Sequence, residues 1–182
     1  MEQDGEGTYL IDSSADLAGF AKIVNTQDPS ANGRLCADLN MSGEAWTPIG
    51  NNERYSGTFD GAGHTITLSV PEEAEVTYGG LFAQADGANI KGVVIKGEIY
   101  AQDYAGGIVG YGENVTITEC RNEAEIHGST AAGGIIGYGS GNILRCANKG
   151  SISGDDYAAG GILGVACGDT SIESSYNQGS IT

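Results

Sequence analysis

The sequence predicts an all-β chain that folds as a parallel β-helix, or β-solenoid, with coils of about 27 residues and a short N-terminal capping helix. Glycine pairs recur at a constant spacing, and the apolar residues near them alternate with polar ones. The pairs are Gly79–Gly80, Gly106–Gly107, Gly133–Gly134 and Gly160–Gly161. Because glycines interrupt every window long enough for a helix in this part of the chain, helical solenoids are excluded.

Residues 1–76 are predicted to form the capping helix and irregular first coils. Ser13 or Ser14 is a suitable N-cap, and Asp16 lies in the first turn that would follow. The apolar residues of this helix are Leu17, Phe20, Ala21 and Val24. A terminal coil leaves its core and backbone open, so we interpret the helix as a lid. Strands are expected to follow near residues 34–39, 46–49, 57–59 and 65–70.

Residues 77–182 are predicted to form four regular coils of the same solenoid. Two apolar residues follow each glycine pair, and two further isoleucines recur in polar surroundings, which is the period-two pattern of short, half-buried strands. The first of these isoleucine columns contains Ile90, Ile117, Ile143 and Ile172. The second contains Ile99, Ile126, Ile152 and Ile181. Three short strands per coil therefore stack on the next coil.

Two further columns are interpreted as parts of the scaffold. One is an asparagine column, predicted to hydrogen-bond along a turn because asparagine tolerates left-handed backbone. Its members are Asn122, Asn148 and Asn177. Cys120 and Cys146 share the other column with Val93 and Ser175, as small core residues. Their neighbouring positions would permit a disulfide, although stacking in register does not set the torsion that a disulfide requires.

The charge of the chain excludes some partners. It has 8 Lys and Arg against 24 Asp and Glu, for a net charge of −16. Nucleic-acid binding needs clustered basic residues, so it is not expected, and anionic membranes are disfavoured. No run approaches the roughly 20 apolar residues of a membrane span. No basic and apolar signal region follows Met1, which is compatible with a trimmed piece of an exported protein.

Two runs near the N-terminus, together with the repeats, carry a resemblance to a known family. The runs are Ala45-Trp-Thr-Pro-Ile-Gly50 and the segment 55–66, and they precede Gly-Gly-Ile-Val-Gly-Tyr units and Asn-x-Gly turns. In these features the chain resembles the GLUG-motif repeat proteins of bacteria. The resemblance implies a β-solenoid in a secreted or cell-surface protein with further domains attached. The family includes the non-catalytic N-terminal regions of some immunoglobulin A metallopeptidases.

Catalytic and metal-binding patterns are not found in the sequence. The acidic pairs Glu72-Glu73 and Asp155-Asp156 have no basic residue in the matching column, and the two histidines stand far apart with no nucleophile motif. We therefore expect no enzyme activity, no cofactor and no metal site. A calcium site at the turns near Asp155, Asp156 or Asp169 stays open as an alternative.

The candidate ligand-binding residues lie on the strand after each glycine pair. If Ile108 and Ile135 face the core, strict alternation turns the next residues outward as an apolar and aromatic stripe. The candidates are Tyr111, Tyr138, Phe82, Val109 and Ile136. The alternative is that the glycines bend the strand and that most of these side chains enter the core.

The function predicted from these features is that of a non-catalytic extracellular or cell-surface module. It would act as a structural spacer and adhere to a host glycan or surface protein, and its open end could associate with a second copy. One alternative is a substrate-recognition region of a larger secreted enzyme, either a metallopeptidase or a polysaccharide-active enzyme. A third hypothesis is a stand-alone polysaccharide lyase or hydrolase, which would need paired carboxylates in a cleft.

Overall fold

A computed structural model describes residues 1–43 and 46–182, which wind into a β-solenoid of roughly six turns with one N-terminal α-helix. The predicted fold class is confirmed. All pairs between the strands named below are parallel, and ladder partners lie about 27 residues apart, as in Val109, Ile136 and Leu163. Among the described residues, no helix has both the length and the apolar character needed to cross a membrane.

The elements alternate strand and turn throughout the repeats. In chain order they are β1 (Tyr9–Ile11), α1 (Ser14–Thr26), β2 (Gly33–Leu35), β3 (Leu39–Asn40), β4 (Thr58–Asp60), β5 (Thr65–Val70), a 3-10 turn (Glu72–Ala74), β6 (Tyr78–Gly79), β7 (Phe82–Asp86), β8 (Asn89–Lys91), β9 (Val94–Ala101), β10 (Tyr104–Gly106), β11 (Val109–Thr118), β12 (Arg121–Asn122), β13 (Glu125–Gly128), β14 (Ala131–Gly133), β15 (Ile136–Leu144), β16 (Ala147–Asn148), β17 (Ile152–Gly154), β18 (Ala158–Gly160), β19 (Leu163–Glu173) and β20 (Tyr176–Asn177).

Three sheets run along the solenoid. Sheet 1 has the order β1-β2-β4-β8-β11-β15-β19, with β7 also paired to β11. Sheet 2 has the order β6-β10-β14-β18. Sheet 3 contains β17-β13-β9-β12-β16-β20, and β5 joins it by pairing with β9 and with β3. Each regular coil therefore passes through all three sheets once.

Helix α1 forms where the sequence predicts it, and Ser13 is its N-cap. The Ser13 hydroxyl accepts a hydrogen bond from the Asp16 amide at 3.2 Å and donates one to the Asp16 carboxylate at 2.7 Å. The second hydrogen bond holds the pKa of Asp16 below its ordinary value. The predicted apolar face is buried, and the Phe20 ring lies 5.9 Å from Phe59 and 6.3 Å from Tyr55, measured between ring centroids.

Strands appear near three of the four positions predicted for the first coils, and the prediction for residues 46–49 is wrong. Of those four residues only Ile49 makes a β-bridge, to Phe82. Pro48 has no N–H to donate to a ladder, and its carbonyl instead accepts from Asn25 of α1 at 3.1 Å. Trp46 is buried and donates from Nε1 to the Gly80 carbonyl at 3.2 Å. Ala45, also part of the family resemblance, lies outside the described residues.

The asparagine ladder is present and explains the second glycine of three pairs. Asn122 Nδ2 donates to Asn148 Oδ1 at 2.8 Å, and Asn148 Nδ2 donates to Asn177 Oδ1 at 2.7 Å. A Cβ atom on Gly107 would lie 2.5 Å from Asn122 Oδ1, and one on Gly134 would lie 2.6 Å from Asn148 Cβ. The glycines therefore leave the space in which the asparagines stack.

The cysteine column also lies in the core. Cys120 and Cys146 are buried free thiols, and burial raises the pKa of the Cys120 thiol. The isoleucine columns are buried up to Ile143 and Ile152. In the last coil their ladder partners Ile172 and Ile181 are 47% and 46% exposed.

Candidate ligand-contact surface

Three of the five predicted ligand-binding residues lie in the core, so their predicted outward orientation is wrong. Phe82 and Val109 are 0% exposed and Ile136 is 1% exposed. The chain turns a corner between sheet 2, which ends at Gly106, and sheet 1, which starts at Val109. Side chains alternate only along one straight strand, so both residues after the glycine pair enter the core. The alternative interpretation given above is thus the correct one for these three positions.

Tyr111 and Tyr138 do lie outside the core, and the structure brings two further tyrosines to them. Tyr111 and Tyr138 are ladder partners in sheet 1, and Tyr78 and Tyr104 are ladder partners in sheet 2. All four side chains are half-buried. We call this group the tyrosine patch. Sequence reasoning missed Tyr78 and Tyr104, although Tyr78 stands directly before the first glycine pair and Tyr104 stands two residues before the second.

The rings of the tyrosine patch stack on one another across three coils. The Tyr104 and Tyr138 centroids are 4.7 Å apart, and those of Tyr111 and Tyr138 are 5.6 Å apart with ring planes 7° from parallel. Tyr78 lies 5.6 Å from Tyr104. In the coil after Tyr104 the ladder partner is the small Ala131, which leaves room for the Tyr138 ring. Offset stacking of this kind contributes roughly 0.5–1.5 kcal/mol per pair beyond area burial.

Charged groups hold Tyr111, whose ring lies near those of the other three tyrosines. The Arg54 guanidinium lies 5.0 Å from the Tyr111 ring centroid, and its Nη1 atom is 3.0 Å from Glu113 Oε2 and 3.9 Å from Asp86. The Tyr111 hydroxyl donates to the other Glu113 oxygen. This hydrogen bond, with burial and the Glu113 charge, raises the pKa of Tyr111 to about 12. Burial likewise raises the pKa of Tyr104, so both remain neutral phenols at physiological pH.

The patch offers recognition chemistry. It presents aromatic surface, phenol hydroxyls and one Arg–Glu ion pair. Within residues 1–43 and 46–182, no three His, Cys, Asp or Glu side chains come together as a metal site, and this holds for Asp155, Asp156 and Asp169.

The comparisons with known proteins support the fold. No protein-family model matches the chain, and no curated protein matches it. A solved structure from Bacteroides ovatus, described as a "putative immunoglobulin A1 protease", superposes with a TM-score of 0.67 over 97% of this chain and 69% of that chain. The two sequences are 19% identical. At 19% identity, the superposition shows that the two proteins share a β-solenoid fold.

Proposed function

We propose that this chain is a non-catalytic extracellular module, a rigid β-solenoid that spaces other domains and contacts a host glycan or surface protein through the tyrosine patch. The observation that carries the proposal is the convergence of four half-buried tyrosines, from three successive coils, on one exterior surface. Tyrosine supplies a large amphipathic contact area at a low cost in side-chain entropy, which is why it is enriched in recognition surfaces.

The patch is also preorganised for binding. Each tyrosine sits on a strand whose backbone is paired to a neighbouring coil, and Tyr111 is held further by Arg54 and Glu113. A partner that docks here does not have to order these side chains, so less of the interaction energy is lost on binding.

An extracellular location is supported by two likenesses. The chain resembles the GLUG-motif repeat proteins in sequence, and it shares its fold with the Bacteroides ovatus protein. The description of that protein as a protease favours a second candidate function, in which this module recognises the substrate of a larger secreted enzyme. Immunoglobulin A1 is then the first protein to test as a partner.

The test is an array of glycans, host-matrix proteins and immunoglobulin A1, probed with the labelled chain. We expect Tyr104→Ala/Tyr138→Ala to weaken binding by about tenfold or more, since central aromatic residues dominate interface energies. Tyr176→Ala is the matched control, because Tyr176 is exposed on sheet 3 and is not part of the patch. Selective binding to immunoglobulin A1 would favour the second candidate.

Two further variants separate loss of binding from loss of structure. Tyr104→Phe/Tyr138→Phe keeps the ring stack and removes only the hydroxyls, so it should fold normally and retain part of the affinity. The ligand-contact proposal fails if no ligand binds, or if Tyr176→Ala weakens binding as much as the double alanine variant. If no ligand binds, the module acts as a spacer alone, and an equal loss with Tyr176→Ala places the ligand contact outside the tyrosine patch.

A further inference from the structure

A separate cavity of about 190 Å³ lies where the coils turn from sheet 3 to sheet 2. Its walls come from the end of β9, the end of β13, the turn after β17 and the 3-10 turn after β5. The residues that matter for its chemistry are Glu72, Glu75, Tyr100, His127 and Asp155. None of them belongs to the tyrosine patch, so this site does not rest on the function proposed above.

The middle of the cavity wall is a fixed pair of rings. Tyr100 and His127 are ladder partners on β9 and β13, and their ring centroids are 5.2 Å apart. His127 Nδ1 lies 2.8 Å from Ser153 Oγ, and His127 Nε2 lies 3.1 Å from Asp155 Oδ2. Both imidazole nitrogens are thus engaged, and the ring cannot turn without breaking a contact.

The charge of the cavity is negative at both ends. Glu72 and Glu75 lie on the side of the preceding coil, and Asp155 lies on the side of the following coil. Among the described residues, no Lys or Arg lines this cavity, whereas some carboxylates elsewhere in the chain pair with Lys or Arg. Examples are Glu113 with Arg54, Asp60 with Lys91, and Glu119 with Arg145. Asp155 Oδ1 accepts no hydrogen bond from the described residues and is free to pair.

From this arrangement we infer that the cavity binds an arginine side chain of a polypeptide partner. A flat guanidinium can lie against the Tyr100 ring and donate to carboxylates on either side, and it does so better than an ammonium because its donors are planar and spread apart. A metal ion is disfavoured, since the described residues bring no three ligating side chains together here. A carboxylate or phosphate ligand would be repelled by the three acidic side chains.

The experiment titrates the isotope-labelled chain with the peptide acetyl-Gly-Arg-Gly-amide and follows the two histidine side chains by NMR. The imidazole signals of His127 are expected to shift and saturate, with a Kd on the order of 1 mM or tighter. His64 contacts Asp38 at 3.1 Å, away from the cavity, and its signals should not move. The same peptide with citrulline in place of arginine is nearly isosteric and uncharged, and it should bind at least about tenfold more weakly.

Charge-removing variants locate the site. Glu72→Gln/Glu75→Gln and Asp155→Asn should each weaken arginine-peptide binding by about two- to fivefold per charge removed. Glu125→Gln is the matched control, because Glu125 is exposed on β13, two residues before His127, and does not line the cavity. Equal binding of the citrulline peptide, the absence of saturation, or an equal loss with Glu125→Gln would each overturn the inference.

Discussion

The first coils and the last coils of this solenoid bury their cores with different side chains. Near α1 the core is an irregular aromatic cluster, in which Phe20, Tyr55, Phe59 and Phe82 meet at centroid distances of 4.9–6.3 Å. In the later coils the core consists of columns of isoleucine and asparagine, each residue stacked on its own kind. Phe59, which contacts Phe20 of α1, is the ladder partner of Ile90, so near the helix an aromatic ring fills the column that isoleucine fills in the later coils.

The two ends of the solenoid also differ in how completely their core residues are buried. At the N-terminal end, α1 lays Leu17 and Phe20 against the first coil and leaves both 0% exposed. At the other end of the described chain, Ile172 and Ile181 occupy core columns yet remain nearly half exposed, because no further described coil stacks on them. A repeat therefore buries an identical residue well or poorly according to the number of coils that flank it.

The largest expected effect is at the aromatic cap. Phe20→Ala removes a fully buried ring that contacts Tyr9, Tyr55 and Phe59, and it should cost about 3–5 kcal/mol of unfolding free energy. Urea unfolding, monitored by circular dichroism, measures this change in unfolding free energy. Lys22→Ala, on the exposed face of the same helix, should change stability by less than about 0.5 kcal/mol. A loss below 1 kcal/mol for Phe20→Ala would show that the lid is dispensable.

The isoleucine column provides the sharpest comparison between coils. Ile143 and Ile172 are ladder partners, and they are 0% and 47% exposed. Ile143→Ala should cost about 2–5 kcal/mol, and Ile172→Ala should cost about 1 kcal/mol or less, because only buried methylenes leave a cavity. The same unfolding experiment measures both variants. Equal losses would mean that Ile172 is covered in solution, as it would be if two copies associated at this end.

The asparagine ladder should show the same dependence on position with smaller energies. Asn148 is buried and bonds to Asn122, Asn177 and the Gly150 backbone, so Asn148→Ala should cost about 1–3 kcal/mol. Asn177 is exposed, and Asn177→Ala should cost less than about 1 kcal/mol. Hydrogen exchange of the Gly150 amide, which donates to Asn148 Oδ1 at 3.2 Å, reports the local loss. An unchanged exchange rate in Asn148→Ala would contradict a structural role.

The smallest expected effect concerns the start of the cap. Ser13→Ala removes the N-cap and should cost about 1 kcal/mol. The sequence alone left Ser13 and Ser14 as equal alternatives, so Ser14→Ala is the natural control. Among the described residues, the Ser14 hydroxyl donates only to the Asn40 carbonyl, at 3.0 Å, and Ser14→Ala should cost less than about 0.5 kcal/mol. If Ser14→Ala lowered the melting temperature more than Ser13→Ala does, the N-cap would lie at Ser14.

The fold was predictable and most of the candidate site was not. The glycine period, the isoleucine columns and the asparagine ladder are local or strictly periodic signals, and each appears in the structure. The left-handed backbone expected at the asparagines lies three residues earlier, at Glu119, Arg145 and Ser174. The stripe of Phe82, Val109 and Ile136 failed because alternation was carried across a corner between two sheets. Tyr78 and Tyr104 were missed because they lie on a different strand from Tyr111 and Tyr138, and strands of different sheets share no periodic signal.

The sequence by itself determined the coil length, the residues that stack in each column and the presence of a helix at the N-terminal end. It could do so because these features depend on periodicity and on side-chain chemistry within a few residues. Only the tertiary structure decided which side chains leave the core at the corners. It also decided that four tyrosines from two sheets stack on one another and that His127 contacts Asp155. These outcomes depend on the angle between sheets and on the space that small residues leave in the adjacent coil, and neither is encoded at one position of the chain.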